Sequence, residues 1–369
     1  MQLHAWLTIF HNMAKVFVAL SGGVDSSVAA WLLKKAGYEV IGVFMKFWQD
    51  AGFSRQNICY TLESEKRARI VARSLKIPFY IFDFQKEFKK EVVGYFLKQA
   101  KQGLTPNPCV VCNKKVKLGL FLEKAVSMGA DFIATGHYAK KDFNKGLFRL
   151  LKAKDKEKDQ SYFLWKLNQN QLAKTLFPIG DYTKAEVRSL ARKHKLITAR
   201  TKESQNLCFL ADNANSFLKL NLKMKPGKII NVQGRVIGKH QGLGLYTIGQ
   251  RQGIIPSLFP KERSSGPYYV LKKDAKKNIL ILTKKQKDLF SKELLAGNLN
   301  FISGKKLFFP LKVKAKIRSR QKEAAGILCK TKKPNQVLFK FKKPERAITP
   351  GQTIVFYKNK ELLGGGIIN

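Results

Sequence analysis

Acidic residues are scarce in this chain: 25 Asp and Glu stand against 70 Lys and Arg, a formal net charge of +45. An excess of that size predicts a polyanionic partner, with nucleic acid the natural candidate, although a genome drifting toward lysine leaves the same mark. Cysteine is scarce too. Five in 369 residues, an odd count, exclude the disulfide framework of a small secreted domain and suggest thiol chemistry in a reducing cytosol. No apolar run is long enough to span a bilayer, and Met1–Asn12 lacks the basic start and cleavage pattern of a signal peptide. Met13, directly before the first strand, looks a better start, so residues 1–13 read as an N-terminal extension; the expectation is a cytoplasmic protein with no membrane partner. Internal repeats are lacking as well, which excludes a solenoid. What is present is 44% hydrophobic residues over a length that predicts two or three domains with real cores.

The chain is organised around residues 16–27. Val16–Leu20 reads as a buried parallel strand, Gly22 and Gly23 let the backbone turn, and Val28–Leu33 continues as an amphipathic helix. Strand, glycine turn and helix start aim backbone N–H groups and a positive dipole end at one point, an anion site whose usual occupant is phosphate. No Lys follows the second glycine, which excludes the G-x-x-x-x-G-K-[ST] loop of common nucleotide hydrolases. Ser21–Ser27, S-G-G-V-D-S-S, instead matches the S-G-G-x-D-S signature of the pyrophosphate-loop ATPases, which split ATP into AMP and pyrophosphate and adenylate an oxygen.

Further strands at Val40–Met45, Phe79–Asp83 and Asp131–Ala139, with helices near 62–75 and 84–102, predict a doubly wound parallel α/β sheet with ligands beyond the carboxyl ends of its strands. Met45 is either core filler or a nucleotide contact. Gly136 permits close backbone approach, and His137 reads as a hydrogen-bonded structural residue ahead of a base. Pro106 and Pro108 fix an extended approach to a helix expected near Asn113. That places Cys112 near a helix N-terminus beside Lys114, Lys115 and Lys117, a setting that lowers a thiol pKa; the alternative is an inert buried cysteine.

Residues 152–164 read as a charged loop running into an apolar helix, and Thr183 with Glu186 as a capping box. Cys208 lies in a polar loop before Phe209 and Leu210. Past Asn215, short runs alternating apolar and basic residues predict a small mixed linking domain at 215–275 and a C-terminal β-barrel at 276–369, following an α/β domain at 14–214. A barrel with a basic outer face suits RNA.

Taken in order, several blocks resemble the tRNA-specific 2-thiouridylases over nearly the whole chain from Ala14. They are S-G-G-V-D-S-S at 21–27, F-M-K-F-W at 44–48, T-P-N-P-C-V-V-C-N at 105–113 and A-T-G-H-Y-A at 134–139. K-D-Q-S-Y-F-L at 158–164, Cys208-Phe209, and G-L-G-L-Y-T-I-G-Q-R-Q-G at 242–253 continue the series. The resemblance implies ATP-dependent replacement of the C2 oxygen of the wobble uridine of tRNA by sulfur, with Mg²⁺ accompanying ATP. It implies nucleotide contacts at Ala19, Leu20, Ser21, Gly22, Gly23, Val24, Asp25, Ser26, Met45 and Gly136, and target-base contacts at Asn107, Pro108 and Cys109. Further tRNA contacts fall at Lys158, Asp159, Gln160, Arg318 and Ser319. Cys112 takes the role of nucleophile, Cys208 that of persulfide carrier, and the two of a transient disulfide. The implied partners are the anticodon stem-loop of tRNA and a persulfide donor such as a cysteine desulfurase or relay protein.

One departure matters. Many family members carry Asp where this chain has Cys109, so a carboxylate proton-transfer role does not carry over. Cys109, Cys112 and Cys208 also make three thiols, enough for an iron–sulfur cluster with one open iron as an alternative sulfur route. Cys59 and Cys329 match no block and read as structural. Two other functions compete. Another pyrophosphate-loop ligase needs an ammonia or amine route in place of paired thiols, and a non-catalytic RNA-binding protein shows salt-sensitive binding that survives loss of Ser21, Asp25 and both cysteines.

Overall fold

The computed structural model describes residues 14–49, 61–202, 207–210, 213–254, 267–305 and 307–369; residues 1–13, read from the sequence as an extension, and Cys59 lie outside the described residues. Strands β1 (Lys15–Ala19), β2 (Glu39–Lys46), β3 (Phe79–Asp83) and β4 (Phe132–Ala134) are followed by a hairpin, β5 (Ala139–Asn144) and β6 (Leu147–Lys152), and by β7 (Thr175–Leu176). Five of these form a parallel sheet in the order β3-β2-β1-β4-β7. Phe17, Ile41, Val43 and Met45 face one apolar core while Val16, Val18, Val40 and Phe44 face the other. Both faces are covered, which is why these strands read as unbroken apolar runs. The chain builds β2 and β3 on one side of β1 and returns to place β4 on the other. The topological switch point therefore lies between β1 and β4, where ligands of such sheets bind.

Helix α1 (Val24–Lys35) follows β1, and α2 (Leu62–Ser74) starts at Thr61, whose side chain accepts the Ser64 N–H. Helices α3 (residues 85–101) and α4 (residues 108–127) each contain a π-helical stretch, at Lys89–Val93 and Asn113–Leu120. The start of α4 corrects the sequence expectation. Pro108 itself opens the helix, its missing N–H costing nothing in the first turn, so Cys109 and not Cys112 occupies that turn. The capping box expected before α5 (Lys184–Lys193) is present: Thr183 accepts the Glu186 N–H and Glu186 accepts that of Thr183. The apolar helix expected after residue 158 is not formed. Ser161–Phe163 makes a single 3₁₀ turn because the Asp159 carboxylate takes the Ser161 N–H and hydroxyl, a local bond that competes with helix.

Four strands, β8 (Gly227–Asn231), β9 (Val236–His240), β10 (Tyr269–Asp274) and β11 (Ile279–Thr283), form the middle sheet in the order β10-β11-β8-β9. Because β11 completes this sheet, the middle unit runs to Thr283, past the boundary at 275 drawn from composition. The C-terminal unit is a closed barrel of β12 (Phe290–Phe301), β13 (Leu311–Lys316), β14 (Ala324–Lys330), β15 (Gln336–Arg346), β16 (Thr353–Lys358) and β17 (Glu361–Ile368), with β12 pairing to β17 to close it. Alternation is clear on β13, where Val313 and Ala315 are buried and Lys312 and Lys314 exposed.

The barrel is fused to the α/β domain. Strand β6 pairs with β17, Leu150 opposite Leu362, so the β5–β6 hairpin extends the barrel sheet. Ile302, Val355, Tyr357 and Leu362 join the same core cluster as Phe17 and Trp165. The Asn300 amide donates to the carbonyls of Trp165 at 2.7 Å and Leu167 at 3.0 Å. No helix among the described residues is long and apolar enough to cross a membrane.

Candidate active site

The loop after β1 is built before any ligand arrives. Leu20 donates its N–H to Val43 at 2.8 Å, still in register with the sheet. Gly22 then takes φ +73°, and a Cβ there would lie 2.3 Å from the Ser64 carbonyl oxygen, so both backbone and neighbour require glycine. Arg67 fixes the turn from α2 by donating to the Gly22 carbonyl at 3.1 Å. Ser26 Oγ accepts the Ser21 N–H at 3.2 Å and donates to the Gly23 carbonyl at 3.1 Å. Gly23 differs from Gly22: the nearest atom to a Cβ there is Ser21 Oγ at 3.5 Å, ordinary contact. The protein alone does not require glycine at 23. Ala19, Leu20 and Val24 are buried, so they offer a nucleotide only their main chain.

Asp25, in the first turn of α1, is gripped from two sides. Lys184 Nζ lies 2.8 Å from both carboxylate oxygens, and the Tyr138 hydroxyl donates to Oδ1 at 2.8 Å. Sequence reasoning missed both partners. A signal existed for Lys184, since a lysine in the first turn of a helix runs against the helix dipole and must serve something outside it.

Gly136 has a protein reason for its identity. A Cβ there would stand 2.7 Å from Ser26 N and 2.9 Å from Asp25 C, so the turn after β4 packs directly on the pyrophosphate loop. Met45 is buried in the core cluster, which favours the core-filler reading for its side chain. His137 Nδ1 bonds Thr135 Oγ1 at 2.8 Å, and burial, with the Lys117 charge, pushes its pKa down to about 3. It is neutral and structural.

The Lys117 charge also bears on Cys109 and Cys112. The lowered pKa expected for Cys112 is overturned: burial pushes this thiol up to about 11. The cause is the early start of α4, which carries Cys112 out of the N-terminal turn and into the core beside Val110 and Val116. Burial raises Cys109 too. Cys208 packs on the same core cluster as Cys112, held there by Phe209, which meets Phe88, Phe96 and Phe217 edge-on at 5.9, 5.6 and 5.7 Å. No disulfide joins the described cysteines. Nor does any group of three or more His, Cys, Asp or Glu among the described residues suit a metal ion, so Cys109, Cys112 and Cys208 do not fit an iron–sulfur cluster. Cys329 sits within β14 opposite Leu338.

The segment before α4 is clamped between domains. Asn107 donates to Thr353 Oγ1 at 3.2 Å, Gln352 to the Thr105 and Pro106 carbonyls at 2.9 and 3.2 Å, and Lys273 to Thr105 Oγ1 at 3.3 Å. Arg318, exposed at the end of β13, donates to the Ala347 carbonyl at 3.2 Å, and Ser319 follows it half-buried. Arg318 and Asn107 both act on Tyr162, so this barrel end and the Asn107 segment share one locality. In the 158–160 segment, the Asp159 side chain is 3% exposed and turned inward to Ala153 and Ser161, while Gln160 Oε1 accepts the Tyr138 N–H at 3.0 Å. Lys158 is half-buried beside them.

Comparison with known proteins agrees with this architecture. The family profile described as tRNA methyl transferase HUP domain matches residues 14–212, the tRNA methyl transferase PRC-barrel domain residues 215–284, and the aminomethyltransferase beta-barrel domain residues 291–368. The chain is 45% identical over 362 residues to tRNA-specific 2-thiouridylase MnmA 2 of Thermoanaerobacter sp. (strain X514), covering 96% of this chain and 97% of that one. It is 42% identical over 361 residues to tRNA-specific 2-thiouridylase MnmA of Legionella pneumophila (strain Philadelphia 1), covering 96% and 98%. With a profile across more than half its length and relatives aligned over nearly all of both chains, this chain belongs to the tRNA-specific 2-thiouridylase family.

Proposed function

We propose that this enzyme uses ATP to exchange the C2 oxygen of the tRNA wobble uridine for sulfur. One observation carries the reading: a loop already folded for an anion lies at the switch point of the sheet, and Cys112 lies in, and Cys208 packs against, one and the same apolar core. A uracil carbonyl oxygen is a poor leaving group, and transfer of AMP from MgATP onto it makes it a good one. The α1 terminus and the Ser21–Ser26 loop hold the phosphates, with Mg²⁺ entering as part of the nucleotide. A persulfide on Cys208 attacks C2 through its terminal sulfur and expels AMP. Cys112 thiolate then attacks the Cys208 sulfur, closing the Cys112–Cys208 disulfide and releasing 2-thiouridine; an external dithiol reduces the pair for the next turnover.

The base reaches this site only by leaving the anticodon stack. Asn107, Pro108 and Cys109, at the start of α4, are the residues the family resemblance assigns to contact the base, with a Cys109 thiol in place of a carboxylate. Exposed lysines such as Lys312 and Lys314 on the barrel, with Arg318, suit the RNA backbone. The test is anaerobic incubation of an unmodified tRNA transcript with ATP, Mg²⁺ and a persulfide donor. The expected result is one AMP formed per 2-thiouridine, and AMP formation with no thiolated base under any donor would return the protein to the ligase reading.

A further inference from the structure

Asp25, the carboxylate of the loop signature, sits in the first turn of α1 and is held by two partners from other parts of the chain. Its two partners in this structure belong to elements that also hold the 158–160 segment. On one arm, Gln160 donates its N–H to the Tyr138 carbonyl at 2.8 Å and accepts the Tyr138 N–H on its side chain at 3.0 Å, and the Tyr138 hydroxyl reaches Asp25 at 2.8 Å. On the other arm, Asp155 Oδ1 accepts the N–H groups of Glu157 and Lys158 at 3.0 and 3.2 Å. Asp155 Oδ2 accepts the Lys184 N–H at 2.9 Å, and Lys184 Nζ spans both Asp25 oxygens at 2.8 Å. The Lys184 ammonium also lies 5.8 Å from the Tyr138 ring centre, so the arms meet at the carboxylate.

We propose that Tyr138 and Lys184 form a two-armed link between the 158–160 segment and Asp25, through which tRNA and ATP each tighten the binding of the other. The inference rests on the thiolation reading, with tRNA at residues 158–160 as the family resemblance implies. Asp155, together with the Thr183–Glu186 capping box, holds the start of α5 from which Lys184 reaches Asp25. Gln160 holds the Tyr138 main chain at both its N–H and its carbonyl, next to the side chain that donates to Asp25. An RNA backbone that fixes residues 158–160 therefore fixes both donors to Asp25, and phosphates that engage Lys184 fix the loop in return. Tyr138, Gln160 and Asp155 are positioning residues in this scheme.

Binding measurements on the full chain test it. The dissociation constant of a tRNA transcript is measured with and without a non-hydrolysable ATP analogue and Mg²⁺, and that of the analogue with and without tRNA. Linkage requires the two ratios to agree, and the expected wild-type factor is about 5-fold or more. Tyr138→Phe and Asp155→Asn are each expected to bring the factor toward 1 with an unchanged melting temperature. A residue that only scaffolds the fold would alter each affinity and leave their coupling intact. Wild-type coupling retained in both variants overturns the link, as does a wild type that binds both ligands independently. Failure of the thiolation reading shows differently, as loss of specific tRNA binding in the wild type itself.

Discussion

Cys112→Ser and Cys208→Ser each lose thiolation by about 10³-fold or more, the scale of removing a nucleophile from a site whose groups act as a unit. Cys109→Ser keeps most of its activity, because no step runs through that sulfur. The burial of Cys112 adds a pH signature. Its thiol is held up to about 11, so in the free enzyme the reactive thiolate is a minor species at neutral pH. Alkylation of Cys112 by iodoacetamide is therefore slow near pH 8 and accelerates as pH rises toward 11. Mass spectrometry of the modified peptide reads both outcomes, and tRNA with ATP is expected to hasten modification at constant pH by opening the core around the thiol. Equal loss at all three cysteines, with iron bound, would instead restore the cluster mechanism that the geometry does not fit. Rapid alkylation of Cys112 at neutral pH in the free enzyme would contradict its burial.

Gly136→Ala lowers kcat/KM for ATP by about 10–100-fold, the range that follows from moving a reacting group by an ångström or less. The added Cβ would meet Ser26 N at 2.7 Å and Asp25 C at 2.9 Å, both main-chain atoms that cannot swing aside. The loop must shift, and with it the end of α1. Gly23→Ala is the matching contrast. Its Cβ meets only Ser21 Oγ at 3.5 Å, so the melting temperature is expected to stay near wild type while ATP affinity collapses. Steady-state kinetics in ATP, beside thermal unfolding of both variants, separates the two. A Gly23→Ala enzyme with an unchanged KM for ATP would remove phosphate from this loop.

What the sequence made legible and what it hid follow from the range of the forces involved. β1, its glycine turn and α1 are local: apolar run, left-handed glycine and helix start lie within a dozen consecutive residues, and Phe79–Asp83 was bounded correctly at both ends. The β5–β6 hairpin is hidden in the sequence because Lys140, Lys141 and Asp142 look like loop and its outer partner, β17, is the last strand of the chain. Its turn did carry a signal in Lys145 and Gly146, both left-handed, as a two-residue hairpin turn requires. The start of α4 is ambiguous in the sequence, since Pro106 and Pro108 together suggest an extended run, whereas Pro108 sits where proline favours a helix start. The earlier start is what moves Cys112 out of the first turn. The Asp25 partners were invisible for a different reason: Tyr138 and Lys184 reach it only through space, from the ends of two other elements.

The most direct test of the central claim follows one oxygen atom. A tRNA transcript carrying oxygen-18 at C2 of the wobble uridine is thiolated in ordinary water with ATP, Mg²⁺ and a persulfide donor, and the AMP is analysed by mass spectrometry. Adenylation of the C2 oxygen predicts that each 2-thiouridine formed leaves one labelled oxygen in the phosphate of AMP. Thiolated uridine accompanied by unlabelled AMP would contradict it, because the oxygen would then have left without ever being bonded to the nucleotide.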